Sequence, residues 1–263
     1  MGDRKAYMKE VYFKYWLTAR DETYGFGEYD KSICSLICNS LQKGTELLEV
    51  AVGTGYPLAD FFEKAGYSVY GIDISPDLVR KCRYLNPKVN CVVGDAEHLS
   101  WTDGCFGCVY CLHSTWYFPN LNQVIDEMLR VTLPSGLVVF DIQNRNNRQI
   151  ADAYRKRLCT NSIPRVIRRV AKEWGRQLLR GQLTSALRLL KRFVISLMRG
   201  DVSIWYAVIY ETPTFPEDVY AHLRGREVSS FRLFVKRVDE IIEKREILDS
   251  ASDFGRLIFV VTK

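Results

Sequence analysis

Residues 45–55 read TELLEVAVGTG, and residues 71–75 read GIDIS. The first stretch is an apolar run of strand length that ends in two closely spaced glycines. PLADFFEKAG (57–66) follows it with helical character and a glycine stop. The second stretch closes another strand, YSVYGIDIS, on an acid. In an open α/β sheet a ligand lies beyond the carboxyl ends of the strands, where glycines let the backbone come close to it. Gly53 and Gly55 supply that approach, and Asp73 can accept hydrogen bonds from both ribose hydroxyls of an adenosine. A nucleoside cofactor is implied.

The same alternation runs outward from this core. A helix is expected over 31–41 ahead of it. Behind it come PDLVRKCRYL (76–85) with proline at a helix start, a strand VNCVVGDA (89–96), a strand CFGCVYCLH (105–113), a helix LNQVIDEMLRVTL (121–133) and a strand GLVVFDI (136–142). IWYAVIY (204–210) is strand-like, PEDVYAHLR (216–224) is a short helix, and SFRLFVKR and GRLIFVVTK look like closing strands. Strands alternating with helices of about ten residues predict an α/β fold, a mostly parallel sheet with helices on both faces.

A dinucleotide fingerprint needs G-x-G-x-x-G, but here GTGYPL has Leu58 at the third glycine and Pro57 at the helix start. The stretch instead resembles motif I of the class I S-adenosylmethionine (SAM) dependent methyltransferases, E/D-x-G-x-G-x-G, with Glu49, Ala51, Gly53 and Gly55 on the motif and alanine in place of the first glycine. GDAEHLSWTDGCFGCVYCLHSTWYF (94–118) resembles that family's third strand, adenine-contacting acid and fourth strand. LRVTLPSGLVVFDI (129–142) resembles its helix, proline-glycine turn and fifth strand. The chain departs from the family at Gly107, where an aspartate is usual.

The resemblance, to the methyltransferase type 11 or UbiE-like group with small-molecule acceptors, covers about residues 30–143 and the final two strands. It implies a Rossmann-like, doubly wound, mostly parallel seven-stranded sheet with a helical insertion after the fifth strand. It also implies SAM as cofactor and S-adenosylhomocysteine as product. By the same resemblance Glu49, Ala51, Gly53 and Gly55 would surround the methionine part, Asp73 and Ile74 the ribose, and Asp95 and Ala96 the adenine. His113 follows the fourth strand, where a residue facing cofactor and substrate is common; a general base there and a packing histidine are both open. Tyr24, Trp116, Tyr117 and Arg145 are candidates for the acceptor site, although aromatics are often plain core. A sulfonium already carries an activated methyl group, so no conspicuous catalytic motif is needed.

The pattern breaks after Asn144. Between Tyr154 and Arg199 thirteen arginines and lysines face the single acid Glu173. Apolar residues at Ile167, Val170, Trp174 and Leu178, and at Leu183, Leu187, Leu190, Val194 and Leu197, recur at helical spacing for one buried face. Expected domains are therefore 1–143 for the N-terminal helices and cofactor core, 144–207 for a basic helical insertion serving as acceptor lid, and 208–263 for the rest of the core. The charge admits three readings: a solvated face, a surface attracting an anionic small or lipid-linked acceptor, or a basic amphipathic helix resting on an anionic membrane. Nucleic acid is disfavoured because no RNA-binding module accompanies the fold.

With 263 residues, 47% apolar and 26% charged, the chain has the composition of a globular protein. The N-terminus is read as mature sequence, and no apolar run is long enough to span a bilayer. Eight scattered cysteines suit a reducing, cytoplasmic setting, with peripheral membrane attachment left open. Cys105, Cys108 and Cys111 form a C-x-x-C-x-x-C run, but strand alternation would point Cys108 away from the other two, so no metal is expected. The sequence supports O- or N-methyl transfer to a small or lipid-linked, anionic acceptor. Rival classes are a non-catalytic SAM-binding protein and a nicotinamide-dependent oxidoreductase.

Overall fold

In a computed structural model of the chain, the described residues are 4–9, 26–143, 216–226, 228–234 and 256–263, with individual helical positions between 167 and 198. The chain divides into two compact units. One comprises Met1–Gly25 and Asp152–Glu211, the other Phe26–Ala151 and Thr212–Lys263. The second unit carries the sheet.

Its elements follow in order: α1 (Glu28–Ser40), β1 (Glu46–Val50), α2 (Leu58–Lys64), β2 (Ser68–Asp73), α3 (Pro76–Leu85), β3 (Asn90–Val93), β4 (Phe106–Cys111), α4 (Leu121–Val131), β5 (Thr132–Gln143), α5 (Pro216–Arg224), β6 (Ser230–Phe234) and β7 (Arg256–Thr262). The seven strands lie in the order β3-β2-β1-β4-β5-β7-β6. Pairing is parallel from β3 through β5, and β7 runs antiparallel to both of its neighbours. The expected mostly parallel, seven-stranded α/β sheet is thus the observed one. Strand order reverses between β1 and β4, which opens a crevice outside their carboxyl ends.

Each strand of the centre is buried on both faces, as helices on both sides require. One face gathers Leu48, Val50, Ile72, Val109, Cys111, Val138 and Phe140 against α4 and α5. The other gathers Leu47, Val69, Cys108, Tyr110 and Val139 against α1, α2 and α3. Cys108 therefore does face away from Cys111. On α4 the buried row Leu121, Val124, Ile125, Met128 and Leu129 follows the 3.6-residue period, each such side chain stabilising by about 1.5–3 kcal/mol. Asn120 caps that helix, its Oδ1 accepting from Gln123 N at 3.3 Å. Across β5 and β7 the paired Phe140 and Phe259 stack with ring centroids 5.2 Å apart.

Three differences from the sequence reading matter. The first helix begins at Glu28 and not at Lys31, because Asp30 turns its carboxylate back to accept from Gly27 N at 3.0 Å and caps the extra turn. That extension brings Tyr29 and Asp30 onto the helix. The fifth strand begins at Thr132 in place of Gly136, directly after α4, with the register against β4 shifting between Phe106 and Cys108. Finally, among the described residues the second apolar row of the insertion is not buried: Leu183, Leu187, Leu190 and Val194 are helical and 41–59% exposed. The strand expected at 204–210, with most of the insertion and residues 10–25, lies outside the described residues.

Candidate functional site

The crevice at the strand-order reversal is lined first by the loop after β1. Ala51, Gly53 and Gly55 all have positive φ, at 61°, 57° and 80°. Two glycines remove the steric cost of that conformation, while Ala51 bears it in full. The two glycines differ in what surrounds them. A methyl group on Gly55 would come within 2.7 Å of Asn86 Nδ2 and 2.8 Å of Cys82 Sγ, so Gly55 is a packing requirement beneath the loop. A methyl group on Gly53 would meet nothing within 4 Å among the described residues outside its chain neighbours. The space above Gly53 is open to a ligand. Asn86 also donates to Thr54 O at 2.9 Å, fixing the turn from below.

Asp73 closes β2 and is 8% exposed. Gly53 N donates to its Oδ2 at 3.0 Å, and Ser75 N donates to its Oδ1 at 2.9 Å. The carboxylate therefore ties the glycine loop to the cap of α3, where Ser75 Oγ accepts from Leu78 N at 3.4 Å. The carboxylate keeps acceptor capacity beyond these amides for a hydroxyl donor. Burial pushes this acid up to about 6, against the lowering effect of the amides of Ser75, Gly53 and Ile74. Glu49, one strand inward, is 6% exposed and accepts from Tyr110 Oη at 3.1 Å. Burial drives it well above the ordinary carboxylate range, and the hydrogen bond from Tyr110 opposes this only in part.

Beyond β3, Gly94 N donates to Asp73 O at 3.0 Å, which brings the Asp95 segment beside the end of β2. Asp95 is half-buried and its Oδ1 accepts from Glu97 N at 3.0 Å, while Ala96 is buried and Ile74 half-buried. Glu49, Ala51, Gly53, Gly55, Asp73, Ile74, Asp95 and Ala96 thus sit at or beside the carboxyl ends of β1, β2 and β3. Gly107 lies elsewhere: an added methyl group would come within 2.3 Å of Thr45 Cγ2, so the side chain the family carries has no room here.

On the α1 side of the sheet a second polar group is buried. His113, with φ at 64°, places Nε2 2.6 Å from Asp30 Oδ1, and its N–H donates to Asp141 Oδ1 at 2.9 Å. Tyr29 Oη donates to Asp141 Oδ2 at 2.8 Å, and the Tyr29 ring packs on the His113 ring with centroids 5.5 Å apart. Thr115 Oγ1 donates to Asp141 O. Trp116 is buried in the short 3-10 turn Thr115–Tyr117, with the half-buried Tyr117 beside it at 5.7 Å between centroids. Tyr24 and Arg145 lie outside the described residues.

The sequence reading did not single out Tyr29, Asp30, Asp141 or Asn86. Signals for two of them are present: Asp30 stands on the same helical stripe as the apolar Ile33, Cys34 and Ile37, and Asp141 interrupts an otherwise apolar strand. A charged residue in such a place is kept when it has partners.

Comparison with known proteins agrees with this geometry. Residues 48–140 match a family described as "Methyltransferase domain". A 2-methyl-6-phytyl-1,4-hydroquinone methyltransferase of Synechocystis is 34% identical over 116 residues, 43% of this chain and 36% of that protein. The methyltransferase GfsG of Streptomyces halstedii is 30% identical over 135 residues, 48% of this chain and 49% of that one. The chain thus spans less than half the length of either relative. A solved SAM-dependent methyltransferase from Thermotoga maritima shares the fold, with a TM-score of 0.54 at 13% identity over 98% of this chain and 97% of its own. The strand order, the glycine loop and the sequence match coincide on one stretch, and residues 48–140 of this chain match a methyltransferase domain.

Proposed function

We propose that the protein transfers a methyl group from SAM to a small or lipid-linked, anionic acceptor, at oxygen or nitrogen. The observation that carries the cofactor reading is the Asp73 bridge between the glycine loop and α3, set beside the open space above Gly53. Asp73 would hold the ribose hydroxyls, Asp95 and Ala96 the adenine, and Glu49 with the loop the methionine end. When bound, SAM supplies a methyl group already activated by its sulfonium.

What remains for the chain is to orient, to exclude water and to accept a proton. Leu58 is 2% exposed and fills the place where a dinucleotide site would need a third glycine, which favours a methionine tail over a pyrophosphate. For a hydroxyl or amine acceptor we assign His113 as the proton acceptor, with the Asp30 carboxylate behind it to stabilise the imidazolium that forms. Trp116 and Tyr117, with Tyr24 and Arg145, are assigned to the acceptor's walls.

Acceptor recognition we assign to residues 144–207, since every cofactor motif lies outside that stretch and fifteen basic residues lie within it. A phytyl-bearing hydroquinone is named for one relative, which supports a lipid-linked acceptor. Work on such an acceptor implies peripheral attachment to a bilayer, as no described helix is long and apolar enough to cross one. Calorimetry with S-adenosylhomocysteine and with NADH tests the cofactor reading. Binding of the first alone is expected; binding of NADH alone overturns it.

A further inference from the structure

Leu183, Leu187, Leu190, Val194 and Met198 are helical and between 41% and 82% exposed. Their spacing of four, three, four and four residues is that of a single stripe along an α-helix. Monomeric proteins seldom leave such an apolar row open to water, and when they do it is commonly a contact surface. Leu179, at 90% exposure, and Ile167, at 46%, add to the apolar surface of the same part of the chain.

The composition around the stripe selects among partners. Between Gln177 and Gly200 the sequence carries Arg180, Arg188, Lys191, Arg192 and Arg199 and not one aspartate or glutamate. Lys191 is itself exposed. A coiled-coil contact with a second copy would set these cations against the same cations, with no acid in the stretch to pair them. An aqueous anion would answer the charge and leave the leucines wet. A bilayer containing anionic lipid answers both: apolar side chains enter the acyl boundary while the long basic side chains reach the headgroups.

We propose that residues 178–199 form an amphipathic membrane-binding segment, with Leu183, Leu187, Leu190, Val194 and Met198 entering the lipid and the five basic residues recognising anionic headgroups. This deepens the assignment of residues 144–207 to a lipid-linked acceptor, and the vesicle test below can fail while the cofactor reading, tested by calorimetry, stands. Five cations beside a negatively charged surface give salt-sensitive, reversible attachment.

The experiment is flotation of the full chain with vesicles of phosphatidylcholine alone and of phosphatidylcholine with about one-third phosphatidylserine. The protein is expected to float with the anionic vesicles and not with the neutral ones, and binding should fall at least tenfold between ~0.05 M and ~0.5 M salt. L183S/L187S/L190S and, separately, R188Q/K191Q/R192Q should each lose at least tenfold in vesicle binding. Circular dichroism melting checks that both variants are folded, and the exposed leucine positions are not expected to change the melt. Absence of vesicle binding in the wild type, equal binding to neutral vesicles, or full binding by the folded leucine variant overturns the proposal. So does a stable dimer in sedimentation that the leucine variant abolishes while vesicle binding stays unchanged.

Discussion

Asp30 on α1 and His113 beyond β4 stand 83 residues apart in sequence and meet at 2.6 Å between Oδ1 and Nε2. The other oxygen of the same carboxylate caps α1 through Gly27 N. One buried acid therefore both starts a helix and fixes an imidazole at the mouth of the crevice. Asp30→Ala removes both interactions, one of them with the buried His113 imidazole. A loss of about 1.5–3 kcal/mol in urea unfolding is expected. Asp30→Asn keeps a carbonyl acceptor and should lose less. Equal stability of Asp30→Ala and wild type would show that the contact carries no weight.

Gly53 and Gly55 should separate binding from folding. Gly53→Ala incurs only the left-handed backbone cost, about 1–2 kcal/mol, since among the described residues nothing stands in the way. It should remain folded and bind S-adenosylhomocysteine at least tenfold more weakly in calorimetry. Gly55→Ala meets Asn86 and Cys82 at under 3 Å in addition to the backbone cost, and should destabilise by about 2–4 kcal/mol. If Gly53→Ala binds normally, the open space above it is not the cofactor's.

Asp73 should make cofactor affinity depend on pH. Burial raises it from the ordinary range to about 6, and only its ionised form can accept from two ribose hydroxyls while holding the amides of Gly53 and Ser75. Affinity for S-adenosylhomocysteine should therefore weaken as pH falls through about 6 and level off above it. For the free protein the sign is opposite. A raised native value means that its contribution to stability is fully present below the ordinary carboxylate range and is lost as pH rises through about 6. Asp73→Asn should flatten the affinity profile and bind more weakly, by about 1.5–3 kcal/mol at neutral pH. An unchanged profile in that variant would remove Asp73 from the linkage.

Glu49 is raised well above its ordinary range by burial, so it too costs stability as pH rises toward the point where it ionises. Glu49→Gln keeps an acceptor for Tyr110 Oη and abolishes that ionisation. Urea midpoints should show the variant equal to wild type in mild acid and gaining on it as pH is raised. A constant difference across pH would mean that folding does not shift the titration of Glu49.

Much of this architecture was legible in the chain itself. Apolar runs of strand length, helical stripes such as Leu121 to Leu129, and turn glycines are local properties, readable without knowing what lies opposite. The cofactor motif is local in the same sense: Gly53, Gly55 and Asp73 carry their backbone requirements and their chemistry in their own types and spacing. Sequence also determined the charge of the insertion, but not the exposure of its leucines. A helical period shows that a stripe exists, not what covers it. The pairings around His113 were decided by topology alone. Tyr29 reaches Asp141 across 112 residues and Asp30 reaches His113 across 83, because α1 lies over the ends of β4 and β5 once the strand order is set. Short-range pattern fixes which residues share a face, whereas the partner of a buried acid depends on which distant strand end the sheet brings beneath it.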